Sequence, residues 1–329
     1  MRLRNLKDFI RVHQCHPWST IFSEVGFVSL LVVGTVALDS VKTPFGNVQN
    51  ALGGSAAYFS TSASYFADVR LVAVIGDDFP EEHIQFFRSK NIDIRGLDVQ
   101  KGDTFRWKGE YGYDLNEAHT LATHLNVLAT FRPHIVEDYK NSDVVFLANV
   151  DPEIQLEVLK QVKKPKLVAC DTMNYWIANK PDALKQTLKN VDLLTINESE
   201  IRQLSGESSL VKAAKSVQAM GPRSIVVKQG SYGALMFIGH SVFSAPAYPL
   251  ESVFDPTGAG DTFAGGFMGY LASTLNFSEE SMRKAVIFGS VMASLNVESF
   301  SLDRIRSLDY KEIKSRYREF KKLTHFEDI

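Results

Sequence analysis

Short, uninterrupted apolar runs recur along the chain at Leu30–Val33, Leu71–Ile75, Val144–Ala148, Leu167–Cys170, Leu193–Ile196 and Ile225–Val227. Runs of this length, apolar at nearly every position, suit strands buried on both faces. Between them lie stretches with helical spacing at Glu153–Val162, Asp182–Leu188, Glu198–Leu204 and Leu210–Met220. This alternation predicts parallel strands joined by crossover helices, an α/β fold. The residues that follow four of the runs are polar: Asn149, Asp171, Asn197 and Lys228. Open parallel sheets bind ligands outside the carboxyl ends of their strands, so these side chains predict one shared crevice. Taken singly, each Asn or Asp reads equally well as a cap for the next helix or turn.

Two segments break the rhythm. Ser40–Asn50 reads as a small hairpin turning near Gly46-Asn47. Thr104–Val127 holds two runs of alternating character, Thr104–Tyr111 and Thr120–Val127, which suit strands with one wet face. Together they predict a small β-layer projecting from the main sheet. Asp309–Leu323 reads as a charged amphipathic helix packed by one face. There are no internal repeats and no low-complexity tracts.

Composition narrows the function. The chain has 329 residues, 45% hydrophobic and 22% charged, with a net charge of -2. That is enough for a sizeable core and gives no basic excess for a nucleic-acid partner or an anionic membrane. No apolar run approaches the length of a membrane span. The two cysteines, Cys15 and Cys170, cannot form a metal quartet and read as unpaired thiols in a reducing compartment, so a cytoplasmic location is expected. Residues 1–27 carry Arg2, Arg4, Lys7 and Arg11 without the apolar core of a signal peptide. They are expected to be an extension outside a single domain spanning 28–329. His83, His119, His124 and His134 show no metal-ligand spacing.

The chemistry concentrates in Asp255-Pro256-Thr257-Gly258-Ala259-Gly260-Asp261, a small-residue turn running into an apolar helix that continues to about Leu275. Backbone N–H groups of Gly258, Ala259 and Gly260 at a helix N-terminus make a pocket for negative charge. Asp261, at the start of that helix, is placed to take a proton from an attacking hydroxyl. An anion pocket and a base in one loop are what phosphoryl transfer to an alcohol requires. A P-loop string is absent. Gly258 and Gly260 begin a dinucleotide fingerprint, but position 263 is Phe and the loop comes late in the chain. A bare helix cap explains the glycines but not the two flanking aspartates.

With these residues in view, the loop resembles the Asp-Thr-x-Gly-Ala-Gly-Asp signature of the ribokinase/PfkB carbohydrate kinase family, with Pro256 in place of Thr. Gly53-Gly54-Ser55-Ala56-Ala57-Tyr58 is similar to the family's di-glycine sugar motif, and Val74–Asp78 follows it as in the family. Asn197-Glu198-Ser199-Glu200 resembles its Asn-x-x-Glu motif, and Val226–Gly230 its nucleotide-side strand. The resemblance covers about Leu30–Leu323. It implies a three-layer α/β/α domain with a mostly parallel sheet and a β lid formed by about 39–50 and 98–128. It implies ATP and Mg2+ as reactants, with K+ as a further ion. By the same resemblance Asp261 is the base and Gly258, Ala259 and Gly260 form the anion hole. Asp39, at the first strand's exit, holds substrate hydroxyls, with Gly53, Gly54, Ser55 and Tyr58 beside it. Asn197, Lys228, Gly230 and Thr257 line the nucleotide. Glu200 organises Mg2+ through water, and Asp255 faces the monovalent cation. Lid layers of this family often pair two subunits, so a homodimer through the lid is implied.

Departures bear on the substrate. Tyr58 stands where the family commonly has a substrate-contacting Asn. Phe105, Arg106 and Trp107 offer stacking and anion pairing from the lid, or packing beneath it. Asn149, Asp171 and Asn174 belong to the expected pocket floor. The expected function is ATP-dependent phosphorylation of a sugar hydroxyl. The alternative is a nucleoside kinase, and a non-catalytic sugar or nucleotide sensor is a third reading.

Overall fold

The computed structural model describes residues 28–325 and 327. The expected N-terminal extension lies outside the described residues. Nine strands form the main sheet: β1 Ser29–Val33, β4 Asp68–Gly76, β5 Asp93–Gln100, β8 Val144–Leu147, β9 Leu167–Asp171, β10 Leu193–Asn197, β11 Ser224–Lys228, β12 Ala234–Ile238 and β13 Ser241–Ala245. Their order is β13-β12-β11-β10-β9-β8-β1-β4-β5. From β11 to β5 neighbouring strands pair in parallel, and β12 and β13 fold back as antiparallel neighbours on the β11 side.

Alternate residues of the central strands feed two cores. Leu30 and Val32 pack with helices Ser55–Ala63, Ala259–Thr274 and Glu279–Asn296 on one face. Leu31 and Val33 pack with helices Pro152–Leu159, Pro181–Leu188 and Leu210–Gln218 on the other. Both faces are covered, which is why these strands carry apolar residues at every position instead of every second one. The result is the expected three-layer α/β/α arrangement.

A second sheet of four strands has the order β3-β2-β6-β7, from β2 Ala37–Thr43, β3 Gly46–Gly53, β6 Arg106–Tyr111 and β7 Ala118–His124. The predicted hairpin is there, but it turns at Pro44-Phe45, and Gly46-Asn47 open β3. Gly46 has a φ of 147° beside the Phe300 ring, so the glycine serves the strand's entry and not the turn. Residues 98–100, expected in this layer, belong to the main sheet as the end of β5.

Candidate active site

The helix Ala259–Thr274 begins at Gly258, whose φ of 71° is left-handed. A Cβ there would lie 2.4 Å from the Tyr58 ring. Glycine is therefore required twice, by the backbone and by the ring stacked against it. Tyr58 itself is 1% exposed. Its ring supports the anion loop, and its hydroxyl is buried with no hydrogen-bond partner in the protein. The next glycine serves a different neighbour, since a Cβ on Gly260 would sit 3.1 Å from Lys228 Nζ. A cation thus approaches the first turn of the helix where amide N–H groups already favour negative charge.

Lys228 ends β11, and its ammonium bonds Asp171 Oδ2 at 2.6 Å. Asp171 ends β9 and is 3% exposed. Its Oδ1 accepts from Thr172 N at 2.8 Å, and its Oδ2 also accepts from Thr195 Oγ1 at 3.0 Å. Asp171 therefore anchors the lysine. Burial alone pulls the Lys228 ammonium down, but the charges of Asp171, Glu200 and Asp261 outweigh it and hold the group above its usual value. Burial, reinforced by the Asp171 charge and opposed by Lys228, pushes the Asp261 carboxyl up to about 7.

Glu200 and Asn197 cap the helix Glu198–Ser205 reciprocally. Asn197 N donates to Glu200 Oε2 at 2.9 Å and Glu200 N donates to Asn197 Oδ1 at 2.8 Å. This capping box explains the Asn-x-x-Glu spacing without a ligand. It does not explain why the glutamate is 8% exposed beside Lys228. Burial, opposed by Lys228, raises its carboxyl to about 7.

Asp39 lies within β2, not at the exit of β1 as expected. Its carboxylate covers the di-glycine: a Cβ on Gly53 would fall 1.9 Å from Asp39 Oδ2. Gly54, at φ 91°, faces the Thr35 carbonyl too closely for any side chain. Asp39 is 5% exposed, and its Oδ1 is buried with no hydrogen-bond partner in the protein. Burial, with Asp255 and Asp261 nearby, lifts this carboxyl to about 7 despite a bond from the Gly54 backbone. A buried acceptor left open this way is costly unless a ligand donates to it.

Other expected residues are engaged within the fold. Ser55 Oγ donates to the Asn149 carbonyl at 3.0 Å and accepts from Thr35 N at 3.2 Å, stitching the exit of β1 to its neighbours. The Asn149 amide accepts from Trp176 Nε1 at 2.9 Å and donates to Met173 Sδ at 3.3 Å. Asn174 is exposed at the start of its helix. The Phe105 carbonyl accepts from Leu38 N at 3.0 Å. Arg106 pairs with Asp78 at 2.5 Å and with Asn50 Oδ1 at 2.8 Å, so its fork is occupied internally. Trp107 folds over Gly109, where a Cβ would lie 2.2 Å from the indole, and bonds Thr120 Oγ1 at 3.2 Å.

Asp255 is fully buried, and burial raises its carboxyl. Its oxygens accept from Thr257 N and Ser301 N, each at 2.9 Å. The Thr257 carbonyl accepts from Asn296 Nδ2 at 3.0 Å. Asn296 and Ser301 were not foreseen; they reach the loop only through tertiary packing. Two residues of the small sheet also reach across. Thr257 Oγ1 donates to the Tyr111 hydroxyl at 3.3 Å. Asn116, in the β6–β7 loop, accepts from Ser231 N at 3.2 Å against Gly230, whose φ is 55°. Alternation along β6, which sets Tyr111 on the face of Trp107, is the signal that could have found the first of these.

The geometry thus gathers Asp261, the Gly258–Gly260 turn, Lys228, Asp171 and Glu200 at the carboxyl ends of β9 to β11. Asp39 and Tyr111 stand over them from the small sheet. Known proteins are similar to this chain. A cytidine kinase of Thermococcus kodakarensis is 31% identical over 246 residues, covering 73% of this chain and 87% of that protein. The structure of Arabidopsis thaliana ribokinase complexed with ribose and ATP superposes with a TM-score of 0.71 at 20% identity, over 89% of this chain and 99% of that one. An E. coli protein solved with ATP and Mg2+ superposes with a TM-score of 0.74 at 19% identity, over 89% and 100%. Residues 29–306 match the family described as pfkB family carbohydrate kinase. The chain belongs to the pfkB family of carbohydrate kinases and is an enzyme of that kinase class.

Proposed function

We propose that the protein transfers the γ-phosphoryl group of ATP to a hydroxyl of a sugar, either free or carried as the ribose of a nucleoside. The observation that carries this reading is a carboxylate, Asp261, in the first turn of a helix whose N-terminus faces the Lys228 ammonium. In the reaction, the acceptor hydroxyl attacks the γ-phosphorus and its proton passes to Asp261. The bond from that phosphorus to the β,γ-bridging oxygen breaks, and ADP leaves. Amide N–H groups at Gly258–Gly260 and the Lys228 charge stabilise the oxygens of the group in flight. Asp39 Oδ1 supplies the acceptor-binding group, and Asn197, Gly230 and Thr257 belong to the nucleotide side.

Mg2+ neutralises phosphate charge when bound, and hard oxygen donors suit it. The buried Glu200 carboxylate fits that need through water, since the capping box occupies only its Oε2. A monovalent cation such as K+ meets a partial fit. Both Asp255 oxygens already accept backbone N–H groups, while Asn296 Oδ1 is buried without a partner. Comparing turnover in potassium and tetramethylammonium salts tests it; equal rates would remove the ion from the account.

The small sheet is the lid in this reading, because Tyr111 and Asn116 span from it to the anion loop and to the Gly230 loop. Closure there excludes water from the transfer. Pairing of two copies through this sheet is part of the proposal. Its β7 strand is exposed along nearly all its length, and sedimentation of the native chain at the monomer mass would count against pairing.

The nucleoside form of the acceptor is favoured by the similarity to a cytidine kinase. Release of ADP from Mg-ATP across a panel of sugars, sugar acids and nucleosides tests the function. Turnover confined to nucleosides selects that form, and turnover on free sugars selects the other. ATP binding without ADP release on any acceptor would point to a sensor.

A further inference from the structure

Tyr111 is the last residue of β6. The parallel register sets Trp107 opposite Asp39 and Gly109 opposite Val41. Asp39, Val41, Thr43 and Gly109 are buried on this side. Tyr111, two residues beyond Gly109, continues the same face, toward the cleft. Its ring is partly exposed, and its hydroxyl reaches Thr257 of the anion loop. Three carboxylates, Asp255, Asp39 and Asp261, act on this hydroxyl, and burial with their charges pushes it up to about 12. It therefore keeps its proton at any working pH. Thr257 Oγ1 donates to the phenol oxygen, which leaves the phenol proton for another acceptor. Asp39, whose charge acts on this hydroxyl from the neighbouring strand, has in Oδ1 a buried acceptor without a donor.

We infer that Tyr111 is a specificity-determining residue that donates a hydrogen bond to a hydroxyl or ring oxygen of the phosphoryl acceptor, complementing Asp39. The unpartnered Oδ1 of Asp39 and a phenol that donates read two polar groups of a polyhydroxylated acceptor. An acceptor lacking the matching oxygen leaves the phenol proton unpaired in the closed site, and that is where discrimination arises.

The inference rests on the kinase reading above, and its test separates the two. Calorimetric titration of D-ribose, D-fructose, cytidine and adenosine into the full chain is compared for wild type and Tyr111→Phe. Acceptor and ATP KM values and melting temperatures are measured alongside. The phenylalanine keeps the ring and removes only the hydroxyl. The expected result is a five- to tenfold weakening of acceptor affinity and rise in acceptor KM, roughly the scale of one neutral hydrogen bond. The ATP KM and melting temperature hold. Equal acceptor affinity in the two proteins overturns the inference. A parallel rise in the ATP KM also overturns it, because Tyr111 then acts by bracing the Thr257 loop. Binding without ADP formation, with the Tyr111→Phe loss still present, refutes the kinase reading and supports the role of Tyr111. No binding of any acceptor to wild type overturns both.

Discussion

At the scale of single residues, the site rests on glycines whose missing side chains are occupied by functional groups. Gly258 accommodates the Tyr58 ring and a left-handed backbone, Gly260 the Lys228 ammonium, and Gly53 the Asp39 carboxylate. Gly258→Ala introduces a clash at 2.4 Å and a strained φ. The left-handed conformation alone costs an alanine about 1–2 kcal/mol, so the anion turn must shift. The expected outcome is at least a tenfold fall in kcat, with a melting temperature lowered by several degrees. Wild-type turnover in Gly258→Ala would show that the turn is not held in this shape for catalysis. These residues were legible as a motif because an anion pocket and a base fall within seven consecutive positions. The burial of Tyr58 was not legible, because its sequence neighbourhood names the motif but not the depth of the ring.

At the scale of elements, the six apolar runs became β1, β4, β8, β9, β10 and β11, since burial on both faces leaves a signal that needs no context. β5 was missed because a half-exposed edge strand, Asp-Ile-Arg-Gly-Leu-Asp-Val-Gln, carries no such run. The helix Glu279–Asn296 also went unread, and with it the Asn296 that braces the anion loop. The helix Glu198–Ser205 shows how a structural device and a functional one share a residue. Glu200 closes a capping box while lying among the charges of Lys228, Asp171 and Asp261. Glu200→Gln keeps the capping oxygen and removes the charge. It should melt within a few degrees of wild type yet need several-fold more Mg2+ for half-maximal rate. Glu200→Ala also loses the hydrogen bond that Asn197 N donates to the side chain, about 1 kcal/mol, and should melt lower. An unchanged Mg2+ titration in Glu200→Gln would leave the residue a cap and nothing more.

At the scale of the whole molecule, the cleft brings together carboxylates that the fold disfavours when charged. Burial lifts Asp39, Glu200 and Asp261 each to about 7. An acid whose folded pKa is raised stabilises the protein below its unfolded value, and that contribution is lost as pH rises through 7. The unliganded protein should therefore lose melting temperature between about pH 4 and pH 7. Asp261→Asn, neutral at every pH, should melt above wild type by a clearly larger margin near pH 8 than near pH 5, by about 2–4 °C for each kcal/mol recovered. A gap of equal size at both pH values would mean that the buried charge is not its source. Catalysis makes the opposite demand, since Asp261 must be ionised to accept a proton, so kcat/KM should fall as pH drops below 7. The central claim, that Asp261 is the base for transfer to an alcohol, is tested most directly by comparing wild type and Asp261→Asn in kcat and in ATP dissociation constant. The account predicts a kcat reduced by about 10²–10⁴-fold, the usual scale of a positioned base, with ATP affinity preserved or improved. Turnover within a few-fold of wild type in Asp261→Asn would contradict it.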